Sequence, residues 1–462
     1  MRIPMLLAAG ALALALPPAA VAQEKQAPPP VGTPKDFRLP TPTVVTLPNG
    51  MEVVMVPFGT TPKATVRLTV RTGNANEAAN ETWLADVTGD MLREGAGARD
   101  AERLAADVAA MGGMLGVGVS ANETTIGSDV LAEHAANAVR LVADVARRPT
   151  FPGEALDRVK ANRARQLAIA LSQPQPQAQR KFAALVYGDH PYARIFPTEA
   201  MLKGYTLEQV KGFHARNFGA ARARLYVAGV FDRAAVERAA REAFGDWEKG
   251  AAPLAIPEPP PARRQFALVN RPGAVQSTLM LGLPVADPSS PDWVRLAVTN
   301  ALLGGSFGSR ITTNIREQKG YTYSPFSTVD AEKDAAVWYE AADVTTNVTG
   351  ASLKEILYEV NRLRDSAPPS EELRGVQNNM AGIFTLQNAS RAGVVGQLSF
   401  VALHGLGDDY LSTYVRRVLA VTPADVQRTA RTYLDPARMS LVVVGDETQV
   451  REQVQPYVPV VP

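Results

Sequence analysis

Apolar and polar residues alternate along "ATVRLTVRTG" (64–73), which predicts a half-buried strand. The period then lengthens. "LADVTGDMLREG" (84–95) and "AERLAADVAAMGG" (101–113) space their apolar residues three and four apart and end in Gly, the pattern of two helices. "MLGVGVSANETTIGSDV" (114–130) reads as two short antiparallel strands around a turn. "AEHAANAVRLVADVARRP" (132–149) is a helix stopped by Pro. The unit is α+β: strands of one sheet with helices packed on one face.

The pattern occurs twice. "TLEQVKGFHARNF" (from Thr206) matches "TPADVQRTARTYL" (from Thr422), each opening with Thr as N-cap in a capping-box arrangement. "RARLYVAG" ends at Gly229 and "RMSLVVVG" at Gly445, 216 positions on. "FPGEALDRVKANR" (from Phe151) echoes "PPSEELRGVQNNM" (from Pro368), with Leu156 and Leu373 217 positions apart. A common offset marks a tandem duplication of a unit of roughly 200 residues. Between the copies lies Pro-rich "GAAPLAIPEPPPARR" (250–264), with no helical period. The expected organisation is a first domain over 41–249, a linker over 250–265 and a second domain over 266–462, each a mostly antiparallel sheet with helices on one face.

A chain of 462 residues is too long for one core. Its 48 basic and 46 acidic residues nearly balance, which gives no support for a nucleic-acid partner. The N-terminus, "MRIPMLLAAGALALALPPAAVAQ", has a basic Arg2, an apolar run from Met5 to Leu16 and an Ala20-Val21-Ala22 cleavage site. This predicts a signal peptide over 1–22, a Pro-rich tether over 23–40 and a periplasmic protein. The apolar run is too short to span a bilayer, and no second stretch is long enough. There is no Cys, which excludes disulfides, thiolate metal sites and Cys nucleophiles.

The densest chemistry is in "GSRITTNIREQKGYTYSPF" (308–326). Arg316 is placed on the last turn of a helix closed by Gly320, with Tyr321 and Tyr323 alternating on a following strand. Arg presents a planar fork of donors and Tyr a single one, so Arg316 and Tyr323 together can clamp peptide carbonyls. The preceding "GGSFGSR" (304–310) lacks the G-K-[ST] of a phosphate loop and reads as a turn whose Gly residues supply positive φ. No G-x-S-x-G nucleophile elbow occurs. The four His (134, 190, 214 and 404) lie at least 24 residues apart, so no paired-His metal motif exists. His190, in "DHPY", reads as local turn hydrogen bonding.

Export signal, duplicated α+β halves, Pro-rich linker, "GGSFGSR", "HPY" (190–192), the closing "VVVGD" and above all "REQKGYTYS" (316–324) together resemble the M16 metallopeptidase family, the pitrilysin, insulinase and mitochondrial processing peptidase group. The resemblance covers about 38–455. Family members carry an Arg and a Tyr seven residues apart, here Arg316 and Tyr323, and the resemblance implies that they contact substrate opposite the zinc. Active members also carry H-x-x-E-H in the first helix of the first half, with a third ligand, a Glu, about eighty residues on. Here that place reads "ADVTGDM": Asp86 and Asp90 stand where the His would be and Gly89 where the general base would be. Asp86 and Asp90 share a helix face, but hydrolytic zinc wants imidazole. The segment where the third ligand would fall has no Asp or Glu from 158 to 188 and four cations over 158–165. A solvated or pseudo-cleft helix face is the expectation for Asp86 and Asp90. The resemblance thus implies a zinc-free, substrate-binding subunit that pairs with an H-x-x-E-H partner carrying the zinc and acts on peptides. The alternative is an inactive scaffold or peptide-binding protein.

Overall fold

The structure is a computed structural model that describes residues 38–459; the expected signal peptide and most of the expected tether lie outside them. The first half opens with β1 (Thr43–Thr46), β2 (Glu52–Pro57) and β3 (Lys63–Val70), followed by α1 (Leu84–Met91). A two-residue ribbon, β4 (Gly95–Ala96) and β5 (Arg99–Asp100), leads to α2 (Ala101–Ala110), the hairpin β6 (Gly116–Val119) and β7 (Thr124–Leu131), and α3 (Ala135–Arg147). Then come α4 (Gly153–Ser172), α5 (Pro174–Tyr187), α6 (Glu199–Gly204), α7 (Leu207–Asn217), β8 (Ala223–Gly229) and α8 (Arg233–Phe244). The sheet order is β1-β2-β8-β3-β7-β6, antiparallel except between β2 and β8. The alternation in β3 places Val66, Leu68 and Val70 in a core shared with Leu84, Val87 and Met91 of α1.

The second half repeats the plan with β9 (Phe266–Asn270), β10 (Gln276–Val285), α9 (Trp293–Asn300), β11 (Phe326–Glu332), β12 (Ala335–Thr345), α10 (Thr349–Asp365), α11 (Ser370–Gln387), α12 (Arg391–His404), α13 (Tyr410–Leu419), α14 (Pro423–Tyr433), β13 (Ser440–Gly445) and α15 (Glu447–Val454). Its sheet order, β11-β12-β10-β13-β9, is that of the first sheet without β1, and β13 and β9 are again the parallel pair. Both capping boxes form: Thr206 and Thr422 each accept from the N3 backbone N–H, and the N3 side chains, Gln209 and Asp425, accept from the cap.

Each half lends one helix to the other. Phe182 and Val186 of α5 pack on Met280, Val337, Val442 and Val444, the outer face of the second sheet. Val394 and Val395 of α12 pack on Val54, Val56, Tyr226 and Ala228, the outer face of the first. The polar clasps match as well. Gln175 of α5 donates to Asp343 at 2.9 Å, and Arg391 of α12 pairs with Asp129 at 3.2 Å. A sheet with an apolar outer face must cover it, and here the cover comes from the other copy of the unit.

Two local expectations are corrected. Tyr321 and Tyr323 are not on a strand: residues 321–325 make only the isolated bridge Thr322–Val344, and β11 begins at Phe326. Gly320 turns the chain at φ 66°, and Pro325 has no N–H to give a ladder. The glycines of "GGSFGSR" do not have positive φ. Gly304 and Gly305 serve close approach instead. A Cβ on Gly304 would lie 2.5 Å from the Ser327 hydroxyl, and one on Gly305 2.3 Å from the Asn300 amide nitrogen.

Candidate functional site

On the first half, α1 carries Asp86, Gly89 and Asp90, and α4 crosses it with Arg163. The Arg163 Nε donates to Asp90 Oδ2 at 2.6 Å, and its Nη1 lies 3.1 Å from Asp86 Oδ1. Its Nη2 also donates to the Asp86 carbonyl at 3.4 Å. Asp86 and Asp90, one turn apart, therefore grip a single guanidinium. Of the two expected settings, a solvated or a pseudo-cleft face, the solvated one is corrected: the Asp86 side chain is only 15% exposed and that of Arg163 18%. Asn74 donates to the second Asp86 oxygen at 2.7 Å. Burial pushes the Asp86 carboxyl up, against the pull of Arg163 and Asn74.

The start of α1 is held by a buried acid. Glu77 accepts from the backbone N–H of Ala85 at 2.8 Å and of Trp83 at 3.1 Å, and from Asn74 at 3.1 Å. Trp83 takes the left-handed conformation (φ 70°) just before α1 and anchors its indole N–H on the Ile195 carbonyl. Burial pushes Glu77 up to about 8. Glu123 and Glu332 are pushed to about 7, again chiefly by burial. These carboxyls hold protons in the native state that the unfolded chain releases above about pH 4.5. Their contribution is therefore fullest at or below that pH and is lost as pH rises through 7 to 8. Thermal unfolding at pH 5.5 and 8.5 is expected to show a melting temperature several degrees lower at the higher pH. Glu77→Gln should flatten that slope; an unchanged slope would remove Glu77 as its source.

Gly89 has no room for a base. A Cβ there would meet Val119 Cγ2 of β6 at 2.7 Å. Among the described residues no group of three His, Cys, Asp or Glu side chains is placed to hold a metal ion. The donor set does not fit zinc: both carboxylates are engaged by a cation, and a zinc ion beside Arg163 would face its charge.

On the second half, two π-helical segments flank the glycine loop, Ala301–Gly305 continuing α9 and Thr312–Gln318 following the loop. π-Helical turns are frequent at functional sites. Arg310 ties the loop to α11 through a two-pronged pair with Glu372 at 2.7 and 2.8 Å. The guanidinium of Arg316 is sandwiched between Phe307, 4.4 Å from the ring centre, and Tyr323, at 5.0 Å. Phe307 and Tyr323 are 73% and 79% exposed. Arg316 Nε lies 3.2 Å from Glu317 Oε1, and among the described residues its two terminal nitrogens have no hydrogen-bond partner. A guanidinium held by its faces offers its edge, two parallel N–H donors, to a carbonyl or carboxylate.

Arg316 and Tyr323 are thus brought together, and Asp86, Gly89 and Asp90 share α1. His190 is buried, its Nδ1 accepting from the Tyr192 N–H. Sequence reasoning missed Arg163, Asn74, Glu77 and Phe307. Arg163 lies in the basic segment where the third zinc ligand would fall, which was its only signal.

Two family models match: Insulinase (Peptidase family M16) over residues 53–196, and Peptidase M16 inactive domain over 204–380. The chain belongs to peptidase family M16. A protein from Streptomyces coelicolor named an uncharacterized zinc protease is 23% identical over 87% of this chain and 88% of its own. A Mycobacterium leprae protein of the same description is 28% identical over 63% of this chain and 66% of its own. Among solved structures, the peptidase M16 inactive domain from Pseudomonas fluorescens superposes with a TM-score of 0.82, at 25% identity over 87% of this chain and 98% of that one. A protease from Helicobacter pylori has the same fold, with a TM-score of 0.83 at 21% identity over 88% of this chain and all of that one. In this M16 chain an internal Asp–Arg–Asp cluster joins α1 to α4.

Proposed function

We propose that this chain is the non-catalytic, substrate-binding subunit of a heteromeric periplasmic M16 metallopeptidase that degrades or processes peptides. The observation that carries this is the contrast between the two halves. Arg163 neutralises Asp86 and Asp90 where relatives named zinc proteases would need ligands, whereas Arg316 keeps two free donors between two exposed rings. A polypeptide that spends a guanidinium on the metal position has no water-activating centre of its own in that helix. A partner chain with H-x-x-E-H would supply the zinc and the general base. Arg316 and Tyr323 would then hold the peptide and donate to a carbonyl near the bond to be cut, a role in which a donor contributes about 3–4 kcal/mol to transition-state binding.

The test is reconstitution. The purified mature chain is expected to contain well under one zinc per chain by elemental analysis and to cleave no peptide alone. Mixed with an M16 chain bearing H-x-x-E-H, it should yield chelator-sensitive cleavage. One zinc per chain on clean protein, or cleavage by this chain alone, would overturn the proposal. Formation of a stable complex without any gain in cleavage would favour a scaffold instead.

A further inference from the structure

Between the two halves lies a cleft of about 310 Å³, away from the Arg316 sandwich. Its apolar surface is largely aromatic. Phe182 and Tyr187 come from α5, Tyr192 from the loop after it, and Tyr339 from β12. The rings brace each other edge to face, Phe182 on Tyr339 and Tyr187 on Tyr192. These are rigid walls of the kind that bind small organic groups.

The charges in the cleft are divided between the halves. Arg194 enters from the first half, and Asp330 and Glu332 from β11 of the second. The Arg194 side chain has no hydrogen bond or ion pair among the described residues, and its Nε is shut off from solvent without a partner. The exposed Asp330 side chain also has no hydrogen bond or ion pair among the described residues, and the Glu332 side chain accepts only from Asn122. A guanidinium nitrogen shut off from solvent without a partner costs free energy. Arg194 and the carboxylates line one cleft and yet do not pair with each other, so neither relieves the other. A lone cation would be repelled by Arg194 and a lone anion by Asp330, while an ammonium brought against Glu332 favours its ionised form. A ligand with an ammonium at one end and a carboxylate at the other satisfies both.

We propose that this cleft binds a short peptide by its two free ends, the ammonium against Asp330 and Glu332 and the carboxylate against Arg194, with the tyrosines and Phe182 packed on its side chains. The volume is at the small end of ligand sites, roughly 300 Å³, which suits a di- or tripeptide and not an extended strand. The site belongs to this chain alone and needs no partner subunit, so it stands or falls apart from the proposed function.

Calorimetric titration of the full mature chain with the dipeptide Ala-Phe, with N-acetyl-Ala-Phe and with Ala-Phe amide tests it. Ala-Phe is expected to bind, and each blocked form about tenfold or more weakly, the loss of one charge-assisted contact. Arg194→Met should bind Ala-Phe and its amide alike, while Arg194→Lys retains the preference. Asp330→Asn combined with Glu332→Gln should remove the preference for the free amine. Absence of binding, equal binding of the blocked forms, or a preference for the free ends that survives in both Arg194→Met and the Asp330→Asn, Glu332→Gln double variant would each overturn the assignment to this cleft.

Discussion

Arg163→Met is expected to destabilise the protein by about 3–5 kcal/mol, the cost of breaking a buried ion pair by removing one partner. Two carboxylates one helical turn apart would be left facing each other, mostly out of water. One of them, Asp86, already titrates high because it is buried. Asn74 would remain as a hydrogen-bond donor to the Asp86 side chain. The methionine keeps the aliphatic bulk beside Trp83, over whose ring Arg163 sits at 5.9 Å, so lost charge and lost packing are separated. Urea denaturation measures the change. Adding Asp86→Asn and Asp90→Asn to Arg163→Met should restore most of the loss, since the repulsion goes with the charges. A single-variant effect below about 1 kcal/mol would mean that the three residues form an ordinary surface pair.

Arg316→Ala should lower the cleavage rate of the reconstituted pair by a factor of about 100 to 1,000, with the fold and the partner's zinc unaffected. The guanidinium takes part in no hydrogen bond beyond its contact with Glu317, so stability should change by less than about 0.5 kcal/mol. Arg316→Lys should recover little, because an ammonium has neither the planar fork nor the same fit between ring faces. Phe307→Ala, which removes one of those faces, should give an intermediate loss that appears in the rate and not in unfolding. Equal rates for wild type and Arg316→Ala would leave the chain as a scaffold. Tyr323 is itself 79% exposed, and its loss should be as silent in unfolding as that of Arg316.

The chain's periodicity determined much of this by itself. The duplicated α+β plan, the Thr206 and Thr422 capping boxes and the helix α1 all follow from contacts close in sequence, while Asp86, Gly89 and Asp90, and Arg316 with Tyr323, were singled out by the family resemblance. The former depend on side-chain period and backbone capping, which neighbours along the chain decide. Tertiary structure decided the rest. Nothing local to Arg163 says that its guanidinium crosses from α4 to close on Asp86 and Asp90, some seventy residues earlier. Nothing local to Gly89 says that Val119 bars a side chain there. The strand expected at Tyr323 failed because Gly320 and Pro325 redirect the backbone, and the glycines of 304–305 turned out to serve close packing against Ser327 and Asn300. The exchange of α5 and α12 between halves is likewise invisible to periodicity, because a helix shows that it has an apolar face and not which sheet will cover it. Burial and pairing between distant segments set these outcomes, and only the folded chain brings those segments together.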